Sequence, residues 1–255
     1  MDPRGTVAAT KAAIWALGGG FMMSREVKAL CDRYALSSRE MYFRGRCGVL
    51  GEVHPDVVVA ASIFFPADRV REWWEGGRKL PADEAASLYA SACHQWGRRR
   101  LAGFEGAGRL AELLAAVADG SNVFCAPLFA GWRAMPRPAA DVERAAHMLH
   151  VMREHRGAQH TTAVVACGVG PLEATLIGAQ GAGAWDPQTG NASVARFLEW
   201  PEPYGTPSRD AVERRARAEE ITDDLVAPAF GVLGEAERAE LADLLIVAAA
   251  TAFPR

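Results

Sequence analysis

Four of the six histidines fall within the 14 residues from His147 to His160. The same segment carries Arg153, Glu154, Arg156 and Gln159. On one continuous helix, Glu143, His147, His150 and Glu154 are spaced four, three and four residues apart and share a stripe. Imidazoles and carboxylates on one stripe are metal-ligand chemistry. The alternative is a solvated helix face with Glu–His pairs. No second helix carries a matching ExxH, so a ferritin-type di-iron centre is not indicated, and no metal ligand set is assigned. His155 and His160 lie off the stripe, on either side of Gly157, where the helix is expected to bend. Flanked by Arg153 and Arg156, they suit binding of an anion or proton transfer near neutral pH. The candidate acid–base residues are therefore His155, His160 and Glu154, with His150, Arg153 and Arg156 as ligand-binding residues. The competing reading is a buried structural histidine beside surface arginines.

A second polar feature is the run Tyr42-Phe43-Arg44-Gly45-Arg46-Cys47-Gly48-Val49-Leu50-Gly51. Guanidinium groups beside a glycine-rich backbone suit carboxylates or phosphates, which makes Arg44 and Arg46 candidate ligand-binding residues. The alternative is a helix C-terminus followed by a turn. Neither GxxxxGK[ST] nor GxGxxG occurs, so this is not a nucleotide loop. GxSxG and HExxH are also missing. Cys93 and His94 are adjacent, and on a helix their side chains diverge. No motif names a cofactor.

These groups must be positioned by helices. Ala-rich segments of 3.6-residue periodicity run through the chain, punctuated by Gly and Pro. Helices are expected over Thr6–Leu17, Arg25–Ala35, Ser37 or Ser38 to Arg46, Asp56–Phe64, Pro66–Gly76, Ala85–Arg100 and Glu105–Asp119. Ser121–Pro138 reads as a packed connector between an N-terminal half (1–135) and a C-terminal half (136–255). The second half is expected to hold helices from Ala139 to about Arg156, from His160 to Cys167, and over Pro171–Ile177. Gly178–Ser193 follows as a surface loop, and Trp200–Tyr204 as an extended proline strap pinned by its aromatic ends. A hairpin of Ser208–Leu233 and Gly234–Phe253 closes the chain. Leu36-Ser37 and Val169-Gly170 sit between helices in the same way, an internal echo of two helix–turn–helix corners and of two pseudo-repeated halves. The fold class is all-α, a multi-helix bundle with helix–turn–helix-like corners.

Composition narrows the partners. The chain has 255 residues, half of them hydrophobic, enough for a sizeable core. No run of 18 apolar residues exists, which excludes a membrane span. The net charge of −3 disfavours nucleic acid as a partner. The five cysteines are widely spaced with no CxxC pair, as expected of small buried residues in a reducing cytoplasm. The last helix, Leu241 to Ala250, is apolar enough to form either the core or a seam between copies in a homo-oligomer.

At Arg153-Glu154-His155-Arg156-Gly157-Ala158-Gln159-His160, and again at Gly170-Pro171-Leu172-Glu173-Ala174, the chain resembles an actinobacterial family of helical proteins with helix-turn-helix or winged-helix relation. Phe21-Met22-Met23-Ser24, Gly45–Gly51 and Trp200-Pro201-Glu202-Pro203-Tyr204 carry the same resemblance. It covers nearly the whole chain. It implies a helical fold and DNA binding, and brings no cofactor. The residues themselves favour a small-molecule-binding helical protein with a His/Arg site for acid–base chemistry on an anionic or aromatic substrate. A transcriptional regulator of helix-turn-helix ancestry, and a metal- or haem-binding protein using the clustered histidines, are the alternatives.

Overall fold

The computed structural model describes residues 1–178 and 191–254. Among these residues all regular structure is helical. The elements are α1 (Pro3–Gly19), α2 (Arg25–Tyr34), α3 (Ser38–Cys47), α4 (Pro55–Ala60), α5 (Ala67–Gly76), α6 (Ala82–Arg100), α7 (Ala107–Gly120), α8 (Pro127–Ala134), α9 (Asp141–Ala166), α10 (Pro171–Ile177), α11 (Ala192–Phe197), α12 (Arg209–Val226) and α13 (Glu235–Ala252). The all-α bundle expected from periodicity is the fold found.

The architecture is organised around α9, which packs against α1, α6, α7, α8 and α12. Every residue from Ala145 to Met152 is buried. A helix enclosed on all sides shows no single apolar stripe, whatever its residue types. This explains why its histidines read equally well as a solvated face. The interruption expected at Gly157 does not occur. α9 runs unbroken through it, because a single glycine weakens a helix by only about 1 kcal/mol relative to alanine, and neighbouring helices clamp it on both sides.

Other boundaries shift for local reasons. The expected connector contains α8, started by Pro127 and burying Leu128, Phe129 and Trp132. α4 stops at Ala60, short of Phe64. α12 ends at Val226 and tightens into a 3-10 turn over Ala227–Val232, where Pro228 has no N–H for an α-helical bond. The expected loop Gly178–Ser193 lies largely outside the described residues, and its last two positions already belong to α11. The strap is pinned at one end, where Trp200 Nε1 donates to the carbonyl of Phe64 at 3.1 Å. Tyr204 instead donates to the Trp200 carbonyl at 3.0 Å, within the strap. Of the cysteines, Cys47 and Cys93 are buried, Cys31 and Cys167 half-buried, and Cys125 exposed, which corrects the expectation of uniform burial. In α13, Leu241, Leu245 and Ala248 join the core, while Ile246 and Val247 face outward.

The two corners share their backbone geometry. After α2, Ala35 takes φ +49°, and after α9, Gly168 takes φ +64°. The next N–H closes a six-residue turn in both: Leu36 to the Cys31 carbonyl at 3.0 Å and Val169 to the Val164 carbonyl at 3.2 Å. Leu36 and Val169 are buried, and Ser37 and Gly170 are the N-caps of the next helices. This is the Schellman termination, and its left-handed residue favours glycine.

Two opposite substitutions are expected to raise stability. Ala35→Gly removes a left-handed alanine and should gain about 1 kcal/mol. Gly157→Ala fills a mid-helix site with open space around it and should gain up to about 1 kcal/mol. Denaturant unfolding checks both. A loss for Gly157→Ala would mean that α9 bends there.

Candidate functional site

α3 begins with a capping box. The Ser37 N–H donates to Glu40 Oε2 at 2.6 Å, and the Glu40 N–H donates to Ser37 Oγ at 3.2 Å. From Met41 onward the helix is enclosed, Tyr42 alone remaining half-exposed up to Gly48. Glycine permits this. A Cβ at Gly45 would lie 2.5 Å from the Tyr89 ring, and one at Gly48 would lie 2.1 Å from the Ala82 carbonyl oxygen. α3 therefore presses directly onto α6.

Arg44 and Arg46, expected together on a glycine-rich turn, are not brought together. The helix continues to Cys47, and residues two apart on a helix point to nearly opposite sides. Arg44 lies over Trp74, its Cζ 4.2 Å from the ring centroid, donates to the Leu80 carbonyl at 3.0 and 2.7 Å, and pairs with Glu52. All three of its nitrogens donate, so it anchors the loop before α6. Arg46 points the other way, to α9.

There it meets Glu154. Arg46 Nε donates to Glu154 Oε1 at 2.8 Å and Nη2 donates to Oε2 at 2.7 Å, a two-pronged pair. Arg153 Nη1 donates to the same Oε1 at 3.1 Å, and its guanidinium lies 4.2 Å from the Trp15 ring. Burial alone would raise the Glu154 carboxyl, but Arg46 overrides it and holds the pKa at about 2. One turn earlier, His150 Nδ1 is 3.2 Å from the Gly18 carbonyl oxygen. A carbonyl only accepts, so Nδ1 carries the proton and Nε2 presents a bare lone pair. Nε2 is 3.9 Å from Glu154 Oε1. Burial depresses the His150 pKa to about 3, so the ring is neutral.

Aromatic rings wall this centre. His150 meets Trp132 edge-on at 4.4 Å and Phe21 at 5.0 Å, and Tyr89 meets Phe21 at 4.9 Å. Trp132 Nε1 donates to the Arg46 carbonyl at 2.9 Å, tying the wall to α3. Tyr89 Oη, His150 Nε2 and Arg153 Nε are buried and have no hydrogen-bond partner among the described residues. Glu154, His150, Arg153 and Arg46 are thus the sequence candidates that come together. Tyr89 and Phe21 were missed as site residues, and Trp132 read as core more readily than as a pocket wall. The available signal for Tyr89 was a lone tyrosine on the alanine face of α6, which also reads as core.

The remaining candidates go elsewhere. His155 packs edge-on against Phe129 at 4.8 Å, and its Nδ1 is buried without a partner. Arg156 and His160 face α12. Arg156 donates to Glu219 Oε2 at 2.8 Å, and Arg215 Nη1 lies 2.9 Å from Glu219 Oε1. The Thr222 hydroxyl donates to the Ala218 carbonyl, so its oxygen accepts from His160 Nδ1 at 2.9 Å. Burial raises the Glu219 carboxyl, but His160 and the two arginines hold it at about 2. The stripe proposed for a metal disperses among separate partners. Glu143 pairs with Arg98 at 3.0 Å, and His147 Nδ1 sits 3.3 Å from His94 Nε2. Among the described residues no group of three His, Cys, Asp or Glu side chains is arranged to hold a metal ion.

A family model described as a helix-turn-helix family matches residues 8–254. No curated protein and no solved structure matches the chain.

The buried histidines make stability pH-dependent. Desolvation lowers the pKa to about 4 for His147, His155 and His160, and to about 3 for His150. The unfolded chain takes up protons below its ordinary histidine value near 6.5 while the folded chain does not, so stability falls as pH drops through that window. Each histidine should contribute a loss of up to about 1 kcal/mol per pH unit between pH 6 and its folded value. The depressed Glu154 and Glu219 add a further loss below about pH 4.5. Stability measured against pH should be flat from 7 to 8 and decline from 6 downward. His155→Leu should reduce the slope by about one proton.

Proposed function

The chain belongs to this helix-turn-helix family, and from that premise we propose that it binds a small polar molecule at the Glu154 centre, its corner helices being used for packing rather than for reading DNA. The observation that carries this reading is that three of the buried polar groups without a partner among the described residues, Tyr89 Oη, His150 Nε2 and Arg153 Nε, belong to one centre built on the Arg46–Glu154 pair. A buried polar group without a partner costs about 1–3 kcal/mol, and native proteins keep few of them. A ligand that meets them recovers that cost on binding. The role of proton acceptor in this centre is assigned to His150, whose tautomer leaves Nε2 bare. His155 and His160 face other elements.

The family favours DNA binding as a second reading. Against it stand the two helices that follow the corners. α3 is enclosed from Met41 onward, and α10 is seven residues long with Glu173 as its one charged side chain. A recognition helix must place several side chains on base edges in the major groove. The net charge of −3 supplies no overall attraction toward the phosphate backbone.

Tyr89→Phe tests the first reading without knowledge of the ligand. It removes a hydroxyl that has no partner, so stability should be unchanged or rise by up to about 2 kcal/mol. A loss of more than about 1 kcal/mol would show that the hydroxyl is satisfied within the protein and would overturn the reading. For the second reading, fluorescence anisotropy with duplex DNA at low salt should show no binding. Affinity that falls steeply with added salt would instead establish a DNA-binding protein.

A further inference from the structure

Two properties of the Glu154 centre restrict the chemistry of its ligand. The first is charge. Two guanidiniums, Arg46 and Arg153, face one carboxylate, Glu154, and the imidazole beside them is neutral. Their side chains are only 11%, 12% and 1% exposed, respectively. One positive charge is therefore in excess in a largely desolvated place, where an unpaired charge is strongly unfavourable. A ligand with a single negative charge neutralises it.

The second property is hydrogen-bond polarity. Tyr89 Oη and Arg153 Nε supply free N–H or O–H donors, whereas His150 Nε2, fixed by the Gly18 carbonyl, is a free acceptor. A bare carboxylate meets the donors and leaves the acceptor unmatched. A molecule bearing a carboxylate and a hydroxyl meets both. Resting on the binding centre proposed above, we infer that its ligand is a small hydroxycarboxylate, with the carboxylate received by Tyr89 and Arg153 and the hydroxyl donated to His150 Nε2.

Tyr89 and His150 have no exposed surface, so the centre is closed in this arrangement. Its members with exposed surface are Arg46 and Arg153, the latter stacked on Trp15, which is 52% exposed. Access requires one of these side chains to move. A closed, desolvated centre favours the smallest members of the class, and two-carbon probes are the appropriate ones.

The test uses the full chain with glycolate, acetate and glycolamide, followed by thermal unfolding and calorimetric titration. Glycolate should bind and raise the unfolding midpoint. Acetate, lacking the hydroxyl, should bind about ten-fold more weakly, and glycolamide, lacking the charge, should bind more weakly still. Arg153→Met should weaken glycolate at least ten-fold. In the wild-type chain, the nitrogen resonance of His150 Nε2 should move on adding glycolate and not on adding acetate, a readout that needs no variant to fold. Glycolamide binding as well as glycolate would overturn the charge assignment, and acetate binding as well as glycolate would overturn the hydroxyl assignment. No response to any of the three overturns the ligand class. The binding centre itself falls only if Tyr89→Phe also destabilises the chain.

Discussion

The arrangement depends on one interaction, the buried pair between Arg46 on α3 and Glu154 on α9. Five other helices pack around α9, and the Glu154 carboxylate on it is 1% exposed, without access to bulk water. Leaving such a carboxylate unpaired costs about 3–5 kcal/mol. Its partner must come from a neighbouring element whose backbone approaches closely enough. Gly45 and Gly48 provide that approach by letting α3 press against α6. The same rotation that turns Arg46 inward turns Arg44 toward Trp74 and Glu52, which fixes the opposite side of α3. One pair thus sets the position of α3 and closes the centre.

The pattern occurs twice along α9. Around Glu154 stand Arg46, Arg153 and His150. Around Glu219 stand Arg156, Arg215 and His160. In both, a histidine Nδ1–H is tied to an oxygen, and the ring lies 3.9 Å from the carboxylate. The two clusters differ in exposure. Glu154 is 1% exposed and Glu219 is 20% exposed, so the second relaxes into solvent as a clamp between α9 and α12. Both hold unmatched polar atoms, Arg156 Nε, Arg215 Nε and Asp223 Oδ1 at the second, but the first is the more fully enclosed and is walled by Trp132, Phe21 and Tyr89, which favours it as the place for the proposed ligand.

Helix-turn-helix geometry is present here without the surface that normally accompanies it. The left-handed residue, the buried residue after it and the cap repeat at Ala35-Leu36-Ser37 and Gly168-Val169-Gly170. In a DNA-reading corner the second helix has a free face. Here that face is covered, at α3 by α5 and α6 and at α10 by α11 and α12. A shared corner is a solution to turning the chain, and the chemistry lies in what the following helix meets.

Much was legible from sequence alone. The all-α class, most helix positions and the two corners follow from local rules of periodicity, capping and residue type. Glu154, His150, Arg153 and Arg46 were named from their types and spacing. The sequence could not separate Arg44 from Arg46, because glycine after arginine reads as a turn unless a neighbouring helix needs the space. It did not single out Tyr89 or Phe21, since an aromatic in an alanine-rich stretch is ordinary core by every local measure. Nor did it decide whether the histidines face water or the interior. Spacing along α9 fixes which side chains share a face, but burial depends on how many helices surround that face. That number is a property of the assembled bundle, where desolvation gives each buried charge a required partner.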